Sequence, residues 1–438
     1  MLELNSLKRN KVSLADYDSS LDIRNRMIMA DFSALDVEVL EEILYSPLKI
    51  SAKKLLKTIG CKEEELERTL HYLNKACLLE KKEDLIFVDK DMRKYFEFEL
   101  KRFDPHFKPD MEFLQGLLRK VPIQVLPTWY SIPRTSNNIF ESIVEKYLLS
   151  PHIYQRYLSE LSFPEATIHS IIHDLFNSSN LRLSSSDVIA KYNLKRVDFE
   201  EIMLLLEFNF VACLVFEKQE DHWMESITPF HEWKEYLEFL QKTEAPYIKP
   251  TLFQKAVESD FRFIEQMADL LKLSLEHPAK AEWNPMVEKI CLLKLGSFID
   301  EKLVVLETGK SWLDLSNENR SLFLYRHPQN RILSLDVPER YVREAEKSIK
   351  RVLHGEWVYF DDVAKGAIVP LSEDSVVMLK RVGKQWGYQL PTYGERERQI
   401  LKATLFEWLY ELGIVSTGRA LERDCLKVTS FGKFFFSD

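Results

Sequence analysis

The sequence is poor in glycine, with 12 in 438 residues, while 29% of its residues are charged and 45% hydrophobic. Scarce glycine beside abundant charge favours helices over an extensive sheet. Its five cysteines (Cys61, Cys77, Cys213, Cys291 and Cys425) are odd in number and far apart, and no two form a CxxC pair. That spacing speaks against zinc ribbons and disulfide frameworks and points to a reduced, cytoplasmic protein. No apolar run reaches the ~18 residues of a membrane span, and the segment from Met1 to Arg9 lacks the apolar core of a signal peptide. There is no GxxxxGK[ST] phosphate loop, no DExH box, no GxSxG elbow and no pair of carboxylates at catalytic spacing. The expectation is therefore a protein that is not an enzyme, with no cofactor, no metal, no membrane and no small-molecule substrate. A basic excess is missing as well. The net charge is −9, whereas phosphate contacts supply much of a nucleic-acid binder's affinity. Any DNA-binding surface has to be local.

What the chain does contain is one pattern of elements, several times over. From 34 to 45, Leu35, Val39, Leu40, Ile43 and Leu44 mark a helix. Ser51 to Gly60 is a short helix with a serine cap and a glycine stop. Leu66, Leu70 and Leu73 mark a third helix from 63 to 76, and Leu78 to Val88 reads as a hairpin around a charged turn. Helix, helix, helix and β-ribbon is the order of a winged helix. It returns near Ser184, with a helix from 198 to 208, an apolar strand from Phe210 to Phe216 and a return strand from Trp223. A weaker copy has helices at 261–273 and 284–295 and strands within 298–306. A last copy has helices at 338–354, after 358 and at 395–412, with its wing at 414–428. Prolines at 105, 109, 246 and 250 suggest boundaries. The expected fold is α+β, mainly α, a tandem array of winged-helix modules joined by helical segments. Its expected domains are 1–104, 105–246, 247–335 and 336–438. The proline-rich run from Val121 to Pro133 is expected to be extended.

Leu409-Tyr410-Glu411-Leu412-Gly413-Ile414-Val415, followed by Leu426-Lys427-Val428-Thr429-Ser430-Phe431-Gly432-Lys433, has the form helix, L-G-hydrophobic, strand, T-x-x-G-[KR]. Thr308-Gly309-Lys310-Ser311-Trp312-Leu313-Asp314-Leu315 has the form T-G-x-x-W-L-x-L, and Trp357 to Asp361 opens the last segment. Over about 290–438 the chain resembles the accessory winged-helix region of bacterial proteins related to XPB-type DNA helicases. The resemblance implies DNA-associated company and no catalytic residue, since the helicase motor is missing.

The third helix of a DNA-bound winged helix offers Arg, Lys, Asn or Gln to base edges. In the first module that helix carries Glu63, Glu64, Glu65 and Glu67 beside Arg68 and Lys75. In the second it carries Asp198, Glu200, Glu201 and Glu207. The C-terminal module has the densest cations: Lys347, Lys350, Arg351, Lys380, Arg381, Lys384, Arg396, Arg398 and Lys402. Two partners follow as expectations: duplex DNA through the C-terminal module, or another protein docked on acidic winged-helix surfaces. His169 and His173 stand at i, i+4 as a metal pair could, but without the glutamate of HExxH or a third ligand, and they read as ordinary histidines. Gly383 to Gly387 lacks the spacing of a nucleotide loop and reads as a turn.

Overall fold

One local event precedes four of the hairpins. A helix runs into a residue of positive φ, and the next N–H turns back to the carbonyl five residues earlier, which closes the helix end. The left-handed residues are Cys77, Phe210, Lys294 and Gly413, at φ 59°, 60°, 55° and 70°. The closing bonds run from Leu78 N to Leu73 O at 3.0 Å, Val211 N to Leu206 O at 2.9 Å, Leu295 N to Ile290 O at 3.0 Å, and Ile414 N to Leu409 O at 3.0 Å. Three of the four turns lack glycine and accept a conformation that costs L-residues about 1–2 kcal/mol. Leu78, Val211, Leu295 and Ile414, which follow them, are each fully buried, and that burial offsets the cost.

Each turn feeds an antiparallel hairpin: Leu79–Lys82 with Leu85–Val88, Cys213–Gln219 with His222–Thr228, Gly296–Ile299 with Lys302–Val305, and Val415–Ala420 with Arg423–Val428. Three hairpins gain a short third strand, Lys49–Ser51, Leu183–Ser184 and Val358–Tyr359, each on the return strand. These strands run directly into helices. Ser51 and Ser184 cap them by accepting from the N–H groups of Lys54 and Asp187. Among the described residues, everything else of regular structure is helical apart from one further hairpin, so the fold is mainly α with small antiparallel sheets.

The computed structural model describes residues 11–136, 138–220, 222–249, 259–277, 282–327, 332–383 and 385–436. The chain divides into two compact units, Met1–Tyr236 with Leu379–Tyr388, and Leu237–Met378 with Gln389–Asp438. The first unit contains the hairpins at 79–88 and 213–228; the second contains those at 296–305 and 415–428. Part of the first unit's core is formed by Val39, Leu40, Ile43, Leu66, Leu70 and Leu73. The second is built around Trp312, Trp408, Leu401, Leu405, Leu412 and Ile290.

Differences from the sequence pattern have local causes. The run 121–133 is not extended, because Leu126–Trp129 forms a helical turn with its proline at the start. That turn buries Leu126, Trp129 and Tyr130 together. The strand read from Phe210 begins at Cys213, after the left-handed turn. The helix read over 338–354 is α only at Glu339–Lys347 and tightens to a 3₁₀ segment at Ser348–Val352. A hairpin that the pattern did not show, Met378–Val382 with Gln385–Gln389, covers the turn read at Gly383. Its Tyr388 hydroxyl donates to Leu148 O at 2.9 Å, and its Trp386 packs on Phe140, all within the first unit. Residues 1–10 and Pro250, named in the sequence pattern, lie outside the described residues.

The glycines of the T-G and T-x-x-G motifs have a physical reason. A Cβ on Gly309 would lie 2.2 Å from Leu295 O, and one on Gly432 would lie 2.3 Å from Ile414 O. These carbonyls accept the N–H of Leu306 and Thr429, both at 3.0 Å, so the helix leaving each hairpin is held over them.

Candidate functional site

The described cations of the sequence pattern are divided between the two units. Lys380 and Arg381 sit on the 378–389 hairpin, within the first unit, and Arg381 lies 3.5 Å from Glu112; Lys384 is outside the described residues. In the second unit, Lys347 pairs with Glu344 at 2.6 Å, and Lys350 is exposed. Arg351 is turned inward. Its guanidinium donates to Leu240 O at 2.7 Å, to Thr243 Oγ1 at 3.2 Å and to Gly366 O.

Arg396, Arg398 and Lys402 share the helix that begins at Glu395, and Gln399 is exposed beside them. Arg396 is exposed, but Arg398 pairs with Asp361 at 2.8 Å and Lys402 with Asp424 at 2.7 Å. The wing cations repeat this: Arg419 meets Asp424 at 3.2 Å, and Arg423 meets Asp361 at 3.6 Å. Lys402 and Arg419 hold the Asp424 carboxyl below its ordinary value. The surface has the residue types of a base-reading helix, with carboxylates of the same unit spread through it.

The helix Arg196–Phe208 of the first unit, which also runs directly into a hairpin, is mostly core. Eight of its residues are buried: Phe199, Glu200, Ile202, Met203, Leu204, Leu206, Glu207 and Phe208. Its carboxylates face inward to cations from earlier in the chain. Arg26 donates to Glu200 at 2.8 Å and to Glu207 at 2.8 Å; Arg102 donates to Glu207 at 2.8 Å and 2.9 Å and to Glu99 at 2.7 Å. Lys120 reaches both Glu99 at 2.5 Å and Asp22 at 2.9 Å. Burial alone would raise the Glu99 carboxyl, but Arg102, Lys120 and Arg26 hold it at about 2. Glu207 is held lower still by Arg102 and Arg26. The reading of this helix as an acidic outer face is therefore corrected for Glu200 and Glu207. Arg26, Glu99 and Arg102 were not singled out from the sequence. The available signal was the seven-residue spacing of Glu200 and Glu207, which places them on one helical face.

His169 is engaged locally: its Nε2 accepts the Phe163 N–H at 3.4 Å, and its ring meets the Phe163 ring. Among the described residues, no three His, Cys, Asp or Glu side chains are grouped as metal ligands. No described helix is long and apolar enough to cross a membrane.

The first unit also carries an open concavity. A groove of about 1330 Å³ runs beside the Ser19–Ala30 helix, with the Ser185–Tyr192 helix, the start of the Arg196–Phe208 helix and the His222–Thr228 strand also lining it. Its apolar lining is Ile23, Met27, Ile28, Ile189, Val197, Trp223 and Met224. Val197 is 43% exposed and Met224 36%, so the lining is open rather than core. Arg24 and Lys75, and also Asp31 and Glu201, are exposed residues of this lining.

Comparison with protein-family profiles, characterised proteins and solved structures finds no match to this chain.

Proposed function

We propose that the chain is a non-enzymatic adaptor of tandem winged helices that docks an amphipathic helix of a partner protein. The observation that carries this reading is the open apolar groove in the first unit. Its Met27, Ile28, Val197, Trp223 and Met224 leave exposed the kind of surface that helix-in-groove recognition uses. The 12 residues of the Ser19–Ala30 wall span about 18 Å, at ~1.5 Å per residue, which matches three turns of a docked helix. Both signs of charge around the groove would fix the direction of that helix. The test is photocrosslinking in cells through a reactive residue placed at Val197, with a control at Thr58. A polypeptide adduct at Val197 alone, lost on Ile189→Asp, is expected. Equal labelling at the two positions, or none at Val197, removes the adaptor reading.

A second reading is favoured by one separate feature, the exposed Arg396, Gln399 and Lys402 on the last third helix. Together with the resemblance to XPB-type accessory modules, it supports association with duplex DNA. Gel shifts at several salt concentrations separate the readings. Each phosphate contact contributes a slope of about −0.9 in log K against log salt. Binding with a steep slope, flattened by Arg396→Glu and Lys402→Glu, places the function on DNA. Absence of a shift at low salt leaves the adaptor.

A further inference from the structure

The first unit holds a second cavity, separate from the groove and of different chemistry. It measures about 710 Å³, within the range of small-molecule sites. The Ser19–Ala30, Lys90–Glu99 and Met111–Leu118 helices contribute to it. Three aromatic rings, Tyr17, Tyr95 and Phe98, line it with Leu21. Gly116 is what lets Phe98 lie there, since a Cβ at 116 would meet Phe98 Cε2 at 2.4 Å.

The polar groups of the cavity fall into two sets. Asp22 is 3% exposed and already satisfied. It accepts from the Tyr95 hydroxyl at 2.7 Å, the Tyr17 hydroxyl at 3.2 Å and Lys120 Nζ at 2.9 Å. Lys101 and Arg119 are exposed cations of the lining with no ion pair among the described residues. Lys101 stands 5.8 Å from the Phe98 ring centre. Gln115, half-buried, also lines the cavity and offers both donors and an acceptor. The remaining charges are accounted for: Lys94 pairs with Asp91, Asp18 caps the Leu21 N–H, and Glu112 lies 3.5 Å from Arg381.

We infer that this cavity binds a small planar anion, an aromatic or heteroaromatic ring carrying a phosphate or carboxylate. The ring meets Tyr17, Tyr95 and Phe98, and the anion meets Lys101 and Arg119. The guanidinium fork of Arg119 suits either oxyanion. This site is independent of the groove, so either can fail without the other.

The test uses the full chain and follows thermal unfolding and titration heat with AMP, adenosine, indole-3-acetate and inorganic phosphate, each up to about 10 mM. AMP or indole-3-acetate is expected to raise Tm and to bind at least about tenfold tighter than adenosine or phosphate alone. AMP alone binding identifies the phosphate source; indole-3-acetate alone identifies the carboxylate. Lys101→Glu with Arg119→Glu should weaken that binding by about tenfold or more, while Lys57→Glu leaves it unchanged. Both altered side chains are exposed, so the variant keeps the fold, which its own Tm without ligand verifies. If no probe binds, if adenosine binds as tightly as AMP, or if the double variant binds as well as the wild type, the inference is overturned.

Discussion

The helix Arg196–Phe208 in the first unit and the helix beginning at Glu395 in the second hold the same place in the order of elements, directly before a hairpin. Their surroundings are opposite. The first sends Glu200 and Glu207, both fully buried, into Arg26 and Arg102. The second buries Ile400 and Leu401 and keeps Arg396, Gln399 and Lys402 at the surface, with Lys402 tied to a carboxylate that is itself partly exposed. Cation–carboxylate pairs are thus core ties at one helix and solvated pairs at the other. Removing one partner should separate the two cases sharply. A buried charge left alone costs several kcal/mol, whereas an exposed pair contributes little.

The largest effect is expected for Glu207→Ala, which leaves Arg26 and Arg102 without their shared carboxylate. About 3–5 kcal/mol should be lost, read as faster amide exchange confined to the first unit. Asp361→Ala, which removes the partner of the half-exposed Arg398, should cost less than about 1 kcal/mol. Equal costs would dissolve the contrast between the two helices.

Gly432→Ala probes the second unit through its backbone. The added methyl would press on Ile414 O, and overpacking of this kind costs about 1–3 kcal/mol. Denaturant unfolding would measure it, and a neutral result would show that the helix after the hairpin can shift away from that carbonyl.

Acid should distinguish the units next. Glu99 and Glu207 have folded pKa values below the ordinary 4.5. Their contribution is therefore complete above about pH 4.5 and drains as pH falls toward 2. Glu232, also in the first unit, has the opposite sign. Burial pushes its carboxyl up to about 8, although the Met111 N–H it accepts at 2.9 Å works against that rise. Its contribution is complete below about pH 4.5 and is lost as pH climbs through 8. Thermal unfolding of the wild type and Glu232→Gln across this range should show the variant with the flatter alkaline side. A matching decline in both would clear Glu232 of that role.

The smallest expected effect lies at the turn of Lys294. Lys294→Gly should gain up to about 1 kcal/mol by relieving a left-handed lysine. Phe210→Gly should instead destabilise, because its ring is 1% exposed and meets Tyr130 and Tyr147. Urea midpoints of the two variants would rank them.

Much of the helix and hairpin order is visible in the residues themselves. Leu66, Leu70 and Leu73, or Leu401, Leu405 and Leu412, repeat at helical spacing because their helices bury one stripe, and such a stripe is a local property. The serine caps and the glycines at 309 and 432 are local for the same reason: each answers a backbone atom within about one hairpin's length of chain. The 378–389 hairpin was not legible, because its packing partners Phe140, Leu148 and Trp233 stand more than a hundred residues earlier. Nor were the fates of the charges. Whether Glu207 repels a phosphate or neutralises Arg26 depends on a contact 181 residues apart, and Arg351 is an internal donor only because Leu240 and Gly366 meet it. The cavity at Phe98 is likewise assembled from helices whose facing residues share no local pattern. Periodicity records which face of an element is apolar. Only the folded chain decides which charges that packing brings together and which it leaves to solvent.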